Sequence, residues 1–561
     1  MQITNKIHFR NLQGDMFGGL TAAIVSLPIA LAFGVASGAG PVAGLYGAVC
    51  IGFFAALFGG TPTLISEPTG PMTVVFTGIL AKLTATADSP EQGLAMAFTV
   101  AMLAGIFQII FGSFRLGKYI TMMPYSVISG FMSGIGVILV ILQIAPFLGQ
   151  KAPKGGVVGT IQNLPNLIAN ISIPETILAA ITIAIIFLYP KQLKRFLPPQ
   201  LVALIVGTVL SLIVFQNVEI RRIGEIPMGL PSLVLPTFYP DQITIMIVDG
   251  IMLGMLGCID TLLTAVVADS ITRTHHKSNK ELIGQGIANI VSGLCGGLPG
   301  AGATMGTVVN IQTGAKTAVS GLTRALILLV VLLWAAGLAE QVPMSVLAGI
   351  ALKVGLDILD WSFLKRSHKV SLNGTLIMYG VLFLTVFVDL IVAVGVGVFI
   401  ANILTIEKLS NLHSESVKTV TDADDEINLT DEESALLDEA NNRVLLFYLS
   451  GPMIFGVSQA ISREQTAMRE HDVLVLDLSD VPMLGVTASL AIENTVQEAV
   501  DNKREVFIVG IKPKVEARLK KLGLFNIVPP ENVVQTRKEG LQLALNLVKG
   551  KPNNFDSEIY N

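Results

Sequence analysis

The sequence predicts a polytopic α-helical membrane protein that ends in a small soluble α/β domain. Three observations predict it. Apolar runs of about 20 residues, the length that crosses a bilayer, recur from Met16 to about Leu409. Only 14% of the 561 residues are charged and 52% are hydrophobic, with a mean hydropathy of +0.67, whereas a soluble domain carries about 25% charged residues. Beyond the last apolar run the pattern changes to short strand-like and helix-like segments in alternation.

The apolar region reads as about fourteen segments. Their centres lie near Ala30, Gly52, Thr77, Leu103, Val137, Ile183, Gly207, Gly257, Ile290, Val308, Leu328, Gly349, Leu382 and Val398. A short polar stretch, Met1–Asp15, precedes the first, with no basic-apolar-small cleavage pattern, so no removable signal peptide is expected. Lys and Arg collect in alternate loops: Lys6 and Arg10, Arg115 and Lys118, Lys191 and Lys194, Arg273 and Lys277, Lys365 and Arg366. The positive-inside rule makes that side cytoplasmic and puts both termini there. Cys50, Cys258 and Cys295 fall in apolar segments, without metal-ligand spacing, and read as buried thiols. The net charge of −4 argues neither for nor against a charged partner, and no nucleic acid is expected.

Two segments are broken. Pro68–Leu83 follows the loop Glu67-Pro68-Thr69-Gly70-Pro71, and Thr304–Gln312 follows a loop rich in glycine from Gly296 to Gly302. They are the third and tenth segments, so each is third in a half of seven. One broken segment at the same place in each half points to an inverted-repeat transporter with its site at the breaks. The competing reading is that these glycines only allow tight helix packing.

Asp260 sits near the middle of the apolar stretch Ile251–Ala268. A carboxylate at that depth costs roughly 3 kcal/mol or more unless it faces a wet cavity or a cation. Thr264 follows one helical turn later on the same face. Carboxylate, hydroxyl and backbone carbonyl are the ligands of a small hard cation such as Na⁺. The Gly300–Thr304 stretch is a poor helix former and has carbonyls free to coordinate. Asp260, Thr264, Gly302 and Thr304 are therefore the expected Na⁺ ligands, with a structural hydrogen-bond anchor as the bland alternative. A proton competes with Na⁺ as the coupling ion.

A small oxyanion fits between two half-helices starting near Thr69 and Ala303, whose N–H groups and positive dipole ends would converge on it. Thr69, Gly70 and Ala303 are the expected anion-binding residues. The tenth segment holds no Lys or Arg, so bound Na⁺ is the expected compensating charge. Glu67 reads as a vestibule or loop-capping residue, and His275 and His276 as a solvated loop. No catalytic constellation, phosphate loop or nucleophile elbow appears, so no enzyme is expected.

Domain boundaries follow from composition. Residues 1–409 form the membrane region and 410–440 an acidic linker or capping helix. Residues 441–551 form the α/β domain, and 552–561 a tail. Within the α/β domain Val444–Ser450, Val473–Leu478 and Val506–Gly510 read as strands. Gln459–Arg469, Val486–Asn502 and Val515–Leu522 read as helices.

The chain resembles the SulP anion transporter family over nearly its full length. The resemblance rests on Pro68-Thr69-Gly70, on the acidic run from Gly257 to Asp269, and on Asn310–Thr317; the tail resembles a STAS domain around Asp477–Val481. It implies a fourteen-span 7+7 inverted repeat of core and gate bundles in the plasma (inner) membrane. It also implies an elevator-like cycle and a homodimer held partly through STAS. Within the family the chain is most similar to Na⁺-dependent bicarbonate symporters, which implies Na⁺:HCO₃⁻ symport. A sulfate or other oxyanion symporter of the same fold is the alternative. Many family exchangers have Ser-Arg-Thr where this chain has Met305-Gly306-Thr307, and loss of that arginine favours a cation-coupled monoanion. Leu484–Ala488 departs from the phosphorylated STAS pattern, so the domain is expected to dimerise or regulate. A membrane-tethered signalling protein whose STAS domain recruits a partner is the reading from another class.

Overall fold

The computed structural model describes residues 4–5, 7–120, 124–190, 198–224, 229, 231–388, 390–414, 417–421, 427–454, 460–461 and 471–550. The chain forms two compact units, Met1–Phe399 and Ile400–Asn561.

The first unit is built of helices around one short ladder. It begins with α1 (Leu12–Ala36) and α2 (Pro41–Phe58), then strand β1 (Ser66–Glu67), α3 (Gly70–Thr86) and α4 (Pro90–Ser113). There follow α5 (Tyr125–Leu142), α6 (Ile173–Leu188), α7 (Pro199–Ile213), α8 (Ile243–Thr272) and α9 (Ser278–Leu294). Strand β2 (Ala301–Gly302) leads into α10 (Thr304–Gln312), α11 (Val319–Val330), α12 (Met344–Ile358), α13 (Leu372–Phe387) and α14 (Leu390–Ser414), which runs on past Phe399. Each apolar centre read from the sequence falls inside one of these helices.

Five described helical stretches are long and apolar enough to cross a membrane: Phe9–Ala36, Pro41–Phe58, Pro90–Ser113, Tyr125–Phe147 and Ile243–Thr272. Ile173–Leu188, Pro199–Ile213, Val319–Trp334 and Leu372–Phe387 are apolar but shorter. Helix α10 is the shortest of the labelled helices, at nine residues, because the chain before it is extended. Small residues set the packing, as lipid-embedded helices require. Helices α4 and α9 meet at Gly105 and Gly286, where a Cβ on either would lie 2.4 Å from the other's carbonyl oxygen.

The second unit holds a five-stranded sheet in the order β3-β4-β5-β6-β7. The strands are β3 (Val417–Val420), β4 (Val444–Ser450), β5 (Val473–Asp480), β6 (Glu505–Val509) and β7 (Val533–Val534). The β3–β4 pair is antiparallel; the others are parallel. Both faces are covered, as parallel strands demand. Leu445, Phe447, Leu474 and Leu476 pack on one face with Ile492 and Val496 of a helix at Val486–Asp501 and Val515 and Leu519 of one at Pro513–Lys521. Leu446, Val473, Val475 and Phe507 alternate to the other face. There they meet Leu437 of a helix at Asp431–Ala440 and Leu541 of one at Arg537–Gly550.

The stretch read as an acidic linker or capping helix contains a helix and also a strand. Val417–Val420 adds an edge strand to the sheet, and Asp431–Ala440 is a helix with a capping box between Thr430 and Glu433. A four-residue strand between polar segments is too short for its alternation to stand out. The helix expected at Gln459–Arg469 lies outside the described residues except for Ala460 and Ile461, and so does the tail at 552–561.

Leu476 lies 1% exposed in the central strand. Leu476→Ala is expected to destabilise this unit by about 2–5 kcal/mol, read as a lowered urea midpoint for a fragment spanning residues 417–550; an unchanged midpoint would contradict the core described.

Candidate functional site

Strands β1 and β2 pair antiparallel, with Ser66 opposite Gly302 and Glu67 opposite Ala301. The ladder is extended by Ala303 N donating to Ile65 O at 2.8 Å. Ile65 N in turn donates to Thr307 Oγ1 at 3.0 Å. Antiparallel strands leave a ladder in opposite directions, so α3 and α10 start from its two sides with their positive ends on common ground. Thr69 and Ala303 are the N-cap residues, both extended and both without a side-chain cap. The first-turn N–H groups of each helix have no intrahelical partner.

Buried polar side chains hold the ladder. Gly300 N donates to Asn289 Oδ1 at 2.8 Å. Its carbonyl accepts from Asn289 Nδ2 at 3.0 Å and Gln285 Nε2 at 3.1 Å. A Cβ at Gly300 would lie 2.2 Å from the Glu67 carbonyl oxygen, so only glycine lets the strands approach. On the other side, Arg324 of α11 is fully buried. It donates to Glu67 Oε2, to the Ser66 carbonyl at 3.1 Å and to Ser26 Oγ at 2.9 Å. An ion pair is thus built into the back of β1.

Asp260 lies on α8 and is 6% exposed. Its Oδ2 accepts a hydrogen bond from Thr69 Oγ1 at 2.7 Å. One turn later, Thr264 Oγ1 donates to the Gly302 carbonyl at 2.8 Å and lies 2.8 Å from Thr304 Oγ1. Thr261 Oγ1 accepts from Gly302 N at 3.1 Å. The breaks and the α8 face therefore meet. Thr264, Gly302 and Thr304 touch one another directly. Asp260 sits a turn back and touches Thr69, which sequence reasoning had assigned to the anion. Gly70 and Ala303 are buried at the two helix starts, while Thr304 is exposed and opens the cluster to solvent.

The donors are one carboxylate, two hydroxyls and one carbonyl, which is oxygen chemistry for a hard cation. Among the described residues no cluster of three or more His, Cys, Asp or Glu exists for a softer metal. The uncapped N–H groups beside this cluster suit a small anion.

Sequence reasoning missed Arg324 and underrated Glu67. The signal was available, since Arg324 interrupts an apolar segment as Asp260 does, and an intramembrane ionisable residue calls for a named partner. Gln108, Gln285 and Asn289 were likewise polar side chains in apolar helices.

Comparisons with known proteins give the family. The sulfate permease family model matches residues 12–381 and the STAS domain model residues 436–539. The chain is 65% identical over 547 residues to the bicarbonate transporter BicA of Picosynechococcus sp., covering 97% of each chain. It is 64% identical to BicA of Synechocystis sp., covering 99% of this chain and 98% of that one. The solved transmembrane domain of a cyanobacterium bicarbonate transporter BicA is 67% identical with a TM-score of 0.66, covering 70% of this chain and all of that one. The overall structure of SLC26A9 superposes with a TM-score of 0.81 at 18% identity, covering 99% of this chain and 93% of that one, a likeness of fold alone.

Removing one partner of a buried ion pair leaves an uncompensated charge. Arg324→Met is expected to cost about 3–5 kcal/mol in unfolding free energy in mixed micelles. Arg324→Met combined with Glu67→Gln is expected to recover most of that loss. A double variant no better than the single one would contradict the pairing.

Proposed function

The chain belongs to the sulfate permease family and is a membrane anion transporter, not an enzyme, and on that premise we propose that it imports bicarbonate by symport with Na⁺. The observation that carries the proposal is the hydrogen bond from Thr69 to Asp260, because it joins the cation oxygens to the start of α3.

With Asp260 unneutralised, its carboxylate holds the Thr69 hydroxyl proton. A Na⁺ ion among Asp260, Thr264, Gly302 and Thr304 draws the carboxylate charge to itself and frees that hydroxyl. Thr69 then donates to an anion seated at the N-termini of α3 and α10, beside Gly70 and Ala303. The Na⁺ adds the positive charge that α10 lacks, since Thr304–Gln312 contains no Lys or Arg. Each ion improves the site for the other, so the loaded carrier moves with both. The relatives named as bicarbonate transporters supply the substrate class. A sulfate symporter is disfavoured because a dianion needs more compensating charge than one Na⁺ gives.

In this reading the site crosses the membrane in an elevator-like step of a core bundle against a gate bundle, in a fourteen-span 7+7 inverted repeat. Both termini face the cytoplasm, the inward Na⁺ gradient across the plasma membrane drives uptake, and the STAS domain helps to hold a homodimer. Lipid contacts are expected around the outer helices.

Labelled bicarbonate uptake into proteoliposomes, with and without an inward Na⁺ gradient, tests the coupling. Wild-type uptake is expected to depend on Na⁺ and to fall at least about tenfold in Asp260→Asn. Uptake that ignores Na⁺, or survives in the variant, would overturn it. Thr69→Val keeps the side-chain shape and removes the donor. It is expected to raise the half-saturating bicarbonate concentration about tenfold or more, and an unchanged value would remove Thr69 from the anion site.

A further inference from the structure

The first unit contains a cavity of about 470 Å³ at the loop-bearing end of α8. It adjoins Thr272, twelve residues and so about 18 Å of helix rise from Asp260. Its lining includes five basic side chains, His8, His275, Lys277, Lys280 and Lys316, and among the described residues no Asp or Glu.

The carboxylates nearby are committed elsewhere. Asp269 accepts from His276 Nδ1 at 2.7 Å and from the His276 backbone at 2.9 Å. Glu281 accepts from Gly60 N at 2.7 Å. Asp15 accepts from the backbone N–H of Lys316 at 2.7 Å and of Thr317 at 3.0 Å. Lys280 Nζ donates to a carbonyl, that of Thr4, at 2.6 Å. Among the described residues no ion pair engages Lys277, Lys280 or Lys316.

Three ammonium groups share one cavity with no carboxylate of the described residues at ion-pair distance; the Glu281 carboxylate offsets part of the repulsion between Lys277 and Lys280, and an anion relieves the rest. The C-terminal ends of α8 and α10 bring roughly half a negative charge each, which three full positive charges outweigh. Lysines act as compact point-charge donors suited to phosphate oxygens.

We propose that this cavity binds a phosphate-bearing anion, either a soluble phosphate compound or the headgroup of an anionic lipid. Its walls come from the far ends of α8 and α10, the helices that bear Asp260, Thr264 and Thr304. A ligand there ties together the two elements whose approach forms the cation cluster, and so would act on transport from a distance. This site stands whether or not the transported ions are those proposed above.

The test uses the full-length protein purified in neutral, phosphate-free detergent. Pyrophosphate is titrated calorimetrically, and phosphatidylglycerol retention from mixed phosphatidylcholine–phosphatidylglycerol nanodiscs is read by native mass spectrometry. Saturable pyrophosphate binding identifies a soluble ligand, and lipid retention without it identifies a headgroup. In either arm binding is expected to weaken at least about tenfold in Lys277→Gln/Lys316→Gln and to return in Lys277→Arg/Lys316→Arg, with equal unliganded melting temperatures as the folding control. Failure of both probes to bind the wild type, or equal binding by the glutamine variant, would overturn the proposal.

Discussion

A chain that crosses a membrane has to satisfy its own backbone hydrogen bonds, and this chain breaks two helices inside a packed helical unit. The ladder between Ser66–Glu67 and Ala301–Gly302 answers that constraint. The broken ends bond to each other, to Asn289 and Gln285, and to Arg324, so extended backbone is held where only helices would otherwise be tolerated. What the ladder leaves free are the uncapped N–H groups of α3 and α10. The backbone part of the candidate site is the set of groups that the breaks expose and the ladder does not consume.

The same geometry places opposite chemistries side by side. Helix starts favour negative charge, whereas Asp260 and the oxygens of Thr264, Gly302 and Thr304 favour positive charge. A single hydroxyl, that of Thr69, sits between them and donates to the carboxylate. In the symport proposed above, the carboxylate and the anion compete for that one proton, and the cation decides the competition. On that proposal two weak sites become one conditional site, with linkage that runs equally in both directions.

Much of this was legible in the sequence because intramembrane polarity is rare. Asp260, one turn from Thr264, declared itself against an apolar background, and the start of α10 at Thr304 coincided with the end of a glycine-rich loop. Three of the five strands of the second unit were also plain, Val444–Ser450 most of all. Other features were hidden for physical reasons. A two-residue strand has no periodicity, so β1 and β2 could not be seen, and neither could the contact that brings Thr69 to Asp260 across 191 residues. Arg324 was visible as a charge but not as a partner of Glu67, because ion pairing across helices depends on tertiary packing. Val417–Val420 was masked by the acidic residues that follow it.

The central claim is that cation and anion bind as one unit through Thr69 and Asp260. Equilibrium binding of radiolabelled Na⁺ to the purified wild-type protein, with and without saturating bicarbonate, tests it most directly. The account predicts that bicarbonate tightens Na⁺ binding by roughly fivefold or more, the range expected for coupled sites. A Na⁺ affinity that bicarbonate leaves unchanged would contradict it.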